Sequence, residues 1–182
     1  AAFNYGGSTS IRVNPFYQSG STDGQLTGAL LKWNFSSAGI PIDATVTDAS
    51  LTFYVTSGSN YAYSLYSMMR DWVEGTNDAV AGTGASWSYY DAGTNSWTTE
   101  GAQSTSSDRY NTNLWDATAT NFNTTGSVTI PLNAEGIAVV QGWIAGSLNN
   151  YGLTIQNYSG TTVDVWEAAS SEATLTANRP KL

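Results

Sequence analysis

The sequence predicts an all-β fold, built as a sandwich or a barrel of antiparallel strands. Apolar and polar residues alternate in several short segments, and a period of two is typical of a half-buried strand. These segments are separated by Gly, Asn, Ser and Pro rather than by helical stretches. Charged residues make up only 11% of the chain, whereas long helices draw on Glu, Lys and Arg for their exposed faces.

Six segments show this alternation and are predicted to be strands. The side chains expected to face the core are, in chain order, Ile11 and Val13; Ala29, Leu31, Trp33 and Phe35; Leu51, Phe53 and Val55; Val128, Ile130 and Leu132; Tyr151, Leu153 and Ile155; and Val163 and Val165. In the last segment, Trp166 is expected to point away from Val163 and Val165, because successive side chains of a strand alternate between its two faces.

One segment has helical rather than alternating periodicity. Ile137, Val140 and Ile144 recur at the spacing of one helix face. Asn133 suits the N-cap position, and Gly146 suits the residue at which the helix stops. The sequence therefore predicts one short helix near residues 134–145, closing one end of the sandwich.

Composition and charge exclude several classes of partner. The 182 residues suffice for one domain, and their net charge is −8. The six basic residues are scattered, so no cluster could neutralise a run of phosphates, and we expect no nucleic-acid partner. No apolar run has the roughly 18 residues of a membrane span, so we expect no membrane insertion. An acidic surface rich in Thr and Asn favours a secreted or cell-surface protein.

Three Asn-x-Ser/Thr sequons are consistent with secretion. They begin at Asn34, Asn123 and Asn157, which are the candidate glycosylation sites.

Six motifs, found in one order along the chain, carry a resemblance to a known family. They are "NYGGSTSIRV", "LLKWNFSSAGIPIDATVTDASLTFYVTSG", "RDWVEGT", "GASWSYYD", "VVQGWIAGSLNNYGLTI" and "SSEATLTANRPKL". With these motifs the chain resembles the DNRLRE family, which is also named carbohydrate-binding module family 96. The resemblance covers nearly the whole chain.

The resemblance implies a single β-jelly-roll domain over residues 1–182, of a kind found in secreted bacterial and archaeal proteins. Family members accompany polysaccharide lyases and surface proteins, some bind acidic polysaccharides, and at least one carries calcium. We therefore expect a non-catalytic extracellular module that binds carbohydrate or cell-wall polysaccharide.

The chain departs from the family pattern at both ends, and this departure suggests an alternative function. The family's first and last strands have no counterpart here, since only three residues precede Asn4 and the sequence stops at Leu182. A strand supplied by another copy of the chain would complete the sheets. The alternative is thus a structural subunit of an extracellular filament or surface layer, with residues 1–5 and 179–182 at the subunit contact.

A degradative enzyme is the third function considered, and it is the least favoured. The chain has no His, which excludes Ser-His-Asp and Cys-His arrangements and imidazole-based zinc sites. Pairs of carboxylates suit glycoside hydrolysis, but none here lies in a recognisable catalytic motif. The pairs considered are Asp71 with Glu74, Asp91 with Glu100, and Glu167 with Glu172.

Aromatic and basic side chains are the candidate ligand contacts. Sugars commonly stack their apolar faces on Trp and Tyr rings, and large exposed aromatics usually mark a site. Of the seven tryptophans, Trp33, Trp72, Trp87 and Trp143 are expected in the core. The remaining three, Trp97, Trp115 and Trp166, are the candidates for an exposed contact surface. Lys32 and Arg70 are the candidate basic contacts.

Residues 70–97 combine glycines, aromatics and acids, which predicts a structured cap able to hold a cation. Calcium takes six to eight hard oxygen ligands, several of them backbone carbonyls. The acids available are Asp71, Glu74, Asp78 and Asp91. No EF-hand pattern is present, and Glu74 and Asp91 are the expected side-chain ligands.

We predict that calcium raises the melting temperature of the protein. A ligand that binds only the native state at a hundredfold excess over its Kd adds about 2.7 kcal/mol. For a domain of this size, the melting temperature should rise by roughly 5–10 °C. Melting curves in excess chelator and in excess calcium measure this, and identical curves would contradict the prediction.

Overall fold

The computed structural model describes residues 3–20, 25–35, 38–91 and 93–182. The strands are β1 (Phe3–Asn4), β2 (Ser10–Val13), β3 (Ala29–Leu31), β4 (Ser50–Ser57), β5 (Ser64–Ser67), β6 (Val80–Ala81), β7 (Tyr89–Asp91), β8 (Asn95–Ser96), β9 (Gly126–Pro131), β10 (Leu153–Gln156) and β11 (Trp166–Ala169). The helices are α1 (Ala119–Phe122) and α2 (Ala134–Ile144), with a 3₁₀ turn at Thr176–Asn178. Ala1, Ala2 and Ser36 (the hydroxyl residue of the Asn34 sequon) lie outside the described residues.

Two antiparallel sheets contribute to one core, which confirms the all-β prediction. One sheet has the strand order β2-β11-β4-β9, and the other has the order β3-β10-β5. Strand β4 shows the expected period of two, with Leu51, Phe53 and Val55 buried and the side chains between them more exposed. The same core takes in Leu65 of β5 and Leu153 of β10. The fold is thus sandwich-like, and the jelly-roll connectivity remains a prediction.

The centre of the core is aromatic. Trp166 lies with its ring centroid 5.3 Å from that of Phe53 and 5.6 Å from that of Phe122, in edge-to-face arrangements. Trp115 packs 5.6 Å from Phe122. Edge-to-face pairs of this kind contribute about 0.5–1.5 kcal/mol each beyond the area they bury.

The predicted phase of the last strand is wrong. Strand β11 begins at Trp166, so that Trp166 and Ala168 face the core, whereas Val163 and Val165 precede the strand and are only half-buried. Val163 and Val165 therefore lie in a connecting segment. The ring of Trp166 fills the core instead of these two side chains.

Helix α2 confirms the predicted helix. The Asn133 side chain accepts a hydrogen bond from the backbone N–H of Gly136 (3.0 Å), as an N-cap should. Gly146 has φ +68°, the left-handed conformation that commonly ends a helix. Gln141 of this helix holds residues 44–46, since its side chain accepts from the N–H of Val46 and donates to the carbonyl of Ala44. No helix in the described ranges is long and apolar enough to cross a membrane.

A second, smaller apolar cluster lies beside the main core. Its buried members are Met68, Ala85, Trp97 and Ala102, with Leu30, Trp72, Tyr90 and Tyr151 packed against them. From here on, the cap means the described residues of the segment 70–109, which is longer than the predicted cap of residues 70–97. This segment covers the face of β10 that points away from the main core. Gln156 of β10 donates to the carbonyl of Gly101 (3.3 Å), and all four residues of β10 are buried.

The carboxylate of Asp108 fastens the cap. Asp108 is fully buried, and its two oxygens accept hydrogen bonds from the backbone N–H groups of Thr98 (3.1 Å), Thr99 (3.0 Å) and Ser104 (3.3 Å). The Nε of Arg70 lies 3.3 Å from the same carboxylate. One acidic side chain thus closes the loop between residues 98 and 108 and joins it to the segment that follows β5.

We predict that Asp108→Asn lowers the free energy of unfolding by about 3–5 kcal/mol, because it leaves the partly buried Arg70 without its counter-charge. The matched control is Asp116→Asn, since Asp116 is exposed and its replacement should change stability by less than about 0.5 kcal/mol. Urea denaturation of both variants measures the difference. A loss below about 1 kcal/mol for Asp108→Asn would show that the cap does not depend on this carboxylate.

Candidate functional site

An open groove of about 560 Å³ lies where the main core meets the cap. Its walls and rim are formed by Lys32, Trp33, Asn34, Phe35, Trp72, Glu74, Trp143 and Asn150. We call this feature the aromatic groove. Its volume is within the range of about 300–1,000 Å³ typical of small-ligand sites.

The first wall is built from the segment that follows β3. Trp33 and Phe35 alternate in the chain and both pack against the main core. The ring of Phe35 lies 6.1 Å from that of Trp143 on α2, with the two planes 33° apart. Asn150 fixes the backbone of this segment by donating to the carbonyl of Trp33 (2.7 Å).

The opposite wall is Trp72, which the cap supplies. Its ring packs against the second apolar cluster, and its Nε1–H donates to the carbonyl of Tyr151 (2.8 Å). The Nε1–H of Trp33 likewise donates to the carbonyl of Pro180, at 3.5 Å. The 2.8 Å hydrogen bond holds the Trp72 ring in one orientation before any ligand arrives, whereas the Trp33 ring is held mainly by its packing against the main core.

Polar groups surround these rings. Lys32 Nζ lies 2.7 Å from Asp71 Oδ1 in an exposed ion pair. Glu74 accepts a long hydrogen bond from the Ser171 hydroxyl, at 3.4 Å. Asn34 is exposed at the same rim. Aromatic faces flanked by amide, ammonium and carboxylate groups can stack a sugar ring and exchange hydrogen bonds with its hydroxyls.

The three tryptophans predicted to form an exposed contact surface are buried instead. Trp97, Trp115 and Trp166 are 5%, 0% and 1% exposed. The Nε1–H of Trp97 donates to the carbonyl of Ser86 (2.9 Å), and that of Trp115 to the carbonyl of Tyr63 (3.0 Å). The polar, glycine-rich surroundings of Trp97 and Trp115 predict exposure, but their rings anchor those irregular segments to the two apolar clusters. For Trp166 the prediction follows from the wrong phase of the last strand.

The two predicted basic contacts have different positions. Lys32 lines the aromatic groove, as a ligand contact should. Arg70 does not line it. Its Nε donates to the carbonyl of Ser107 (2.9 Å) and its guanidinium lies 4.8 Å from the centre of the Tyr90 ring, so Arg70 holds the cap together.

The two predicted calcium ligands have no common partner in the structure. Glu74 lies at the aromatic groove, whereas Asp91 belongs to β7 and accepts from the Asn95 side chain (3.3 Å). Among the described residues no group of three or more Asp or Glu side chains is arranged to hold a metal ion. Calcium binding stays a prediction.

The three sequons differ in their surroundings. Asn123 is exposed at the end of α1. Asn157 is half-buried, and its side-chain amide donates to the carbonyl of Ala62 (2.7 Å). Asn34 lies at the rim of the aromatic groove, so a glycan there would cover the groove.

No protein-family model matches this chain, and no significant match was found among curated proteins or among solved structures. The resemblance to the DNRLRE family therefore remains a prediction. The site has to be interpreted from its own geometry.

Tyr61 does not line the aromatic groove, but its phenol has a lowered pKa. Its phenol oxygen lies within 3.2 Å of the side-chain hydroxyls of Thr161 and Thr162, and it accepts from both their backbone N–H groups (3.0 and 3.2 Å). These hydrogen bonds, led by that of the Thr161 side chain, lower the pKa of Tyr61 from 10.0 to about 8. Burial, by contrast, raises the pKa of the neighbouring Tyr63 to about 12.

We predict that one tyrosine ionises near pH 8 in the native protein and that Tyr61→Phe removes this ionisation. The pKa of Tyr61 is lower in the folded state than in the unfolded state. Ionisation of Tyr61 therefore stabilises the fold increasingly from pH 8 to pH 10 and contributes nothing to stability below pH 8. Ultraviolet absorbance of tyrosinate against pH measures the step. An unchanged titration in Tyr61→Phe would contradict the assignment.

Proposed function

We propose that this protein is a non-catalytic extracellular module that binds a neutral carbohydrate chain in the aromatic groove. The observation that carries the proposal is the convergence of Trp33, Trp72, Trp143 and Phe35 on one open groove with a polar rim. Trp143 is buried beneath the groove, whereas Trp33, Phe35 and Trp72 are half-buried, so part of each of these three rings is open to a ligand.

The fixed orientation of the rings supports tight stacking. The indole N–H of Trp72 is bound to a backbone carbonyl and Trp33 packs against the main core, so little side-chain entropy is lost when a sugar stacks on them. The exposed Asn34 amide at the rim then exchanges hydrogen bonds with hydroxyl groups. Such a combination of apolar walls and a few placed polar groups is typical of ligand sites.

Charge favours a neutral glycan over a polyanion. The chain carries a net charge of −8, which repels an anionic polymer at long range. Of the described residues that line the groove, Lys32 is the one basic side chain, and its charge is offset by the pair with Asp71. Secretion remains part of the proposal and is supported by the acidic, Thr- and Asn-rich composition.

The residues of the groove favour binding over hydrolysis. Glycoside hydrolysis uses two carboxyl groups on opposite sides of the scissile bond. Glu74 is the single carboxylate among the described residues that line the groove. The other acid of interest, Glu100, accepts from the Ser88 hydroxyl and the Trp87 indole, and these hydrogen bonds lower its pKa, which disfavours a role as proton donor.

We predict that Trp33→Ala weakens carbohydrate binding about thirtyfold, because a stacked tryptophan at the centre of a site contributes about 2 kcal/mol. The probes are a soluble neutral β-glucan and an alginate, titrated by calorimetry. The matched control is Tyr54→Ala, since Tyr54 is an exposed aromatic on β4 that does not line the groove.

We expect the wild type and Tyr54→Ala to bind the glucan equally well and Trp33→Ala to bind it more weakly. The glucan should be recovered from the mixture at its original length. Equal affinity in the wild type and in Trp33→Ala, with weaker binding in Tyr54→Ala, would move the site to the outer face of β4. Shortening of the glucan over many turnovers would contradict the non-catalytic assignment.

A further inference from the structure

A second groove, of about 570 Å³, runs between the two sheets at one side of the fold. It is lined by residues 10–12 of β2 and by residues 28–32, which include β3. Strand β2 is the end strand of the four-stranded sheet, and β3 is the end strand of the three-stranded sheet. We call this feature the edge groove.

The two end strands separate from a single point of contact. Asn14 and Thr27 exchange backbone hydrogen bonds (3.1 and 3.4 Å), and from there β2 and β3 enter different sheets. In the described part of the chain, each of these strands has a paired neighbour strand on one side only. The hydroxyl of Thr27, which lines the groove, is buried with no hydrogen-bond partner among those residues. Unpaired edges of this kind readily accept another extended segment.

The lining suits a peptide segment that is partly apolar. Ile11 and Leu30 line the groove, and its rim carries the exposed rings of Phe3, Tyr5 and Tyr17. Clustered exposed rings beside an apolar groove are typical of a protein-binding surface.

The charge of the lining is opposite to that of the chain. Three of the six basic residues, Arg12, Lys32 and Arg179, line the edge groove, whereas Glu74 is the one acid among its described lining residues. Arg12 and Lys32 have carboxylate partners in Glu167 and Asp71, in partly exposed pairs of the kind that contribute little to stability. Because the lining carries three basic residues and one acid, an acidic segment of a second copy, whose net charge is −8, meets less repulsion in the edge groove than the net charges of two copies would suggest.

We propose that the edge groove accepts an extended segment of a second copy, which adds as a strand to the free edge of β2 or β3. A concave groove cannot fill itself, so the donated segment belongs to a different surface of the partner. Contacts between two different surfaces do not close on themselves unless a ring forms, and they extend into filaments. This assembly is independent of carbohydrate binding, although the two grooves adjoin and share Lys32, Trp33, Trp72 and Glu74.

The experiment uses single cysteines, which are unique labels because the chain contains no Cys. Ser10→Cys places a thiol in the edge groove, and the matched control Ser127→Cys places one on β9, at the other end of the same sheet. Both are near-isosteric changes. Each variant is concentrated without carbohydrate, followed by light scattering and electron microscopy, and its rate of maleimide labelling is compared in dilute and assembled samples.

We expect fibres or oligomers at high protein concentration. In the assembled samples, the rate of maleimide labelling should fall at least tenfold at Ser10→Cys and stay unchanged at Ser127→Cys. A photo-crosslinker on Ser10→Cys, in a mixture of isotopically heavy and light chains, should give heavy–light peptide pairs that identify the donated segment. A chain that stays monomeric overturns the proposal. So do assemblies that protect Ser127→Cys but leave Ser10→Cys reactive.

Discussion

The cap depends on a single buried carboxylate. Asp108 gathers three backbone N–H groups and the Arg70 guanidinium, and this closes the loop from residue 98 to residue 108 against the end of β5. A buried charge is tolerated only where it is paired and fully hydrogen-bonded, so these contacts fix one geometry for the cap. The loop that Asp108 closes begins directly after Trp97, which is buried in the second apolar cluster, and Trp72 packs against the same cluster. Loss of Asp108 is therefore expected to loosen the cluster on which Trp72 rests, although Asp108 does not itself line the aromatic groove.

The concentration of bulky rings in a glycine-rich segment has a physical explanation. The cap has almost no regular structure, so it cannot bury area through long strands or helices. Its small apolar cluster instead includes two tryptophans: Trp97 is buried, while Trp72 is shared between the cluster and the groove surface. The same type of residue thus fills the cluster at one position of the cap sequence and is partly open to the groove at another.

Regular elements could be predicted from the sequence, and most of the candidate site could not. The alternation of Leu51, Phe53 and Val55 predicted β4, and the helical spacing with Asn133 as N-cap predicted α2, because these signals are local. Alternation and motif position place Trp33 and Trp72 in the core, but these patterns do not distinguish a ring that reaches the surface from one that is fully covered. The burial of Trp97 and the role of Asp108 both involve hydrogen bonds between different segments. Local sequence patterns do not predict such bonds.

The most direct test of the central claim observes the tryptophans themselves. The indole N–H resonances of the seven tryptophans can be followed by NMR during titration with a soluble neutral oligosaccharide. The account predicts that the signals of Trp33 and Trp72 move in a saturable manner while those of the buried Trp115 and Trp166 stay in place. Binding that leaves Trp33 and Trp72 unmoved, or that shifts only Trp87, would contradict the assignment of the aromatic groove as the carbohydrate site.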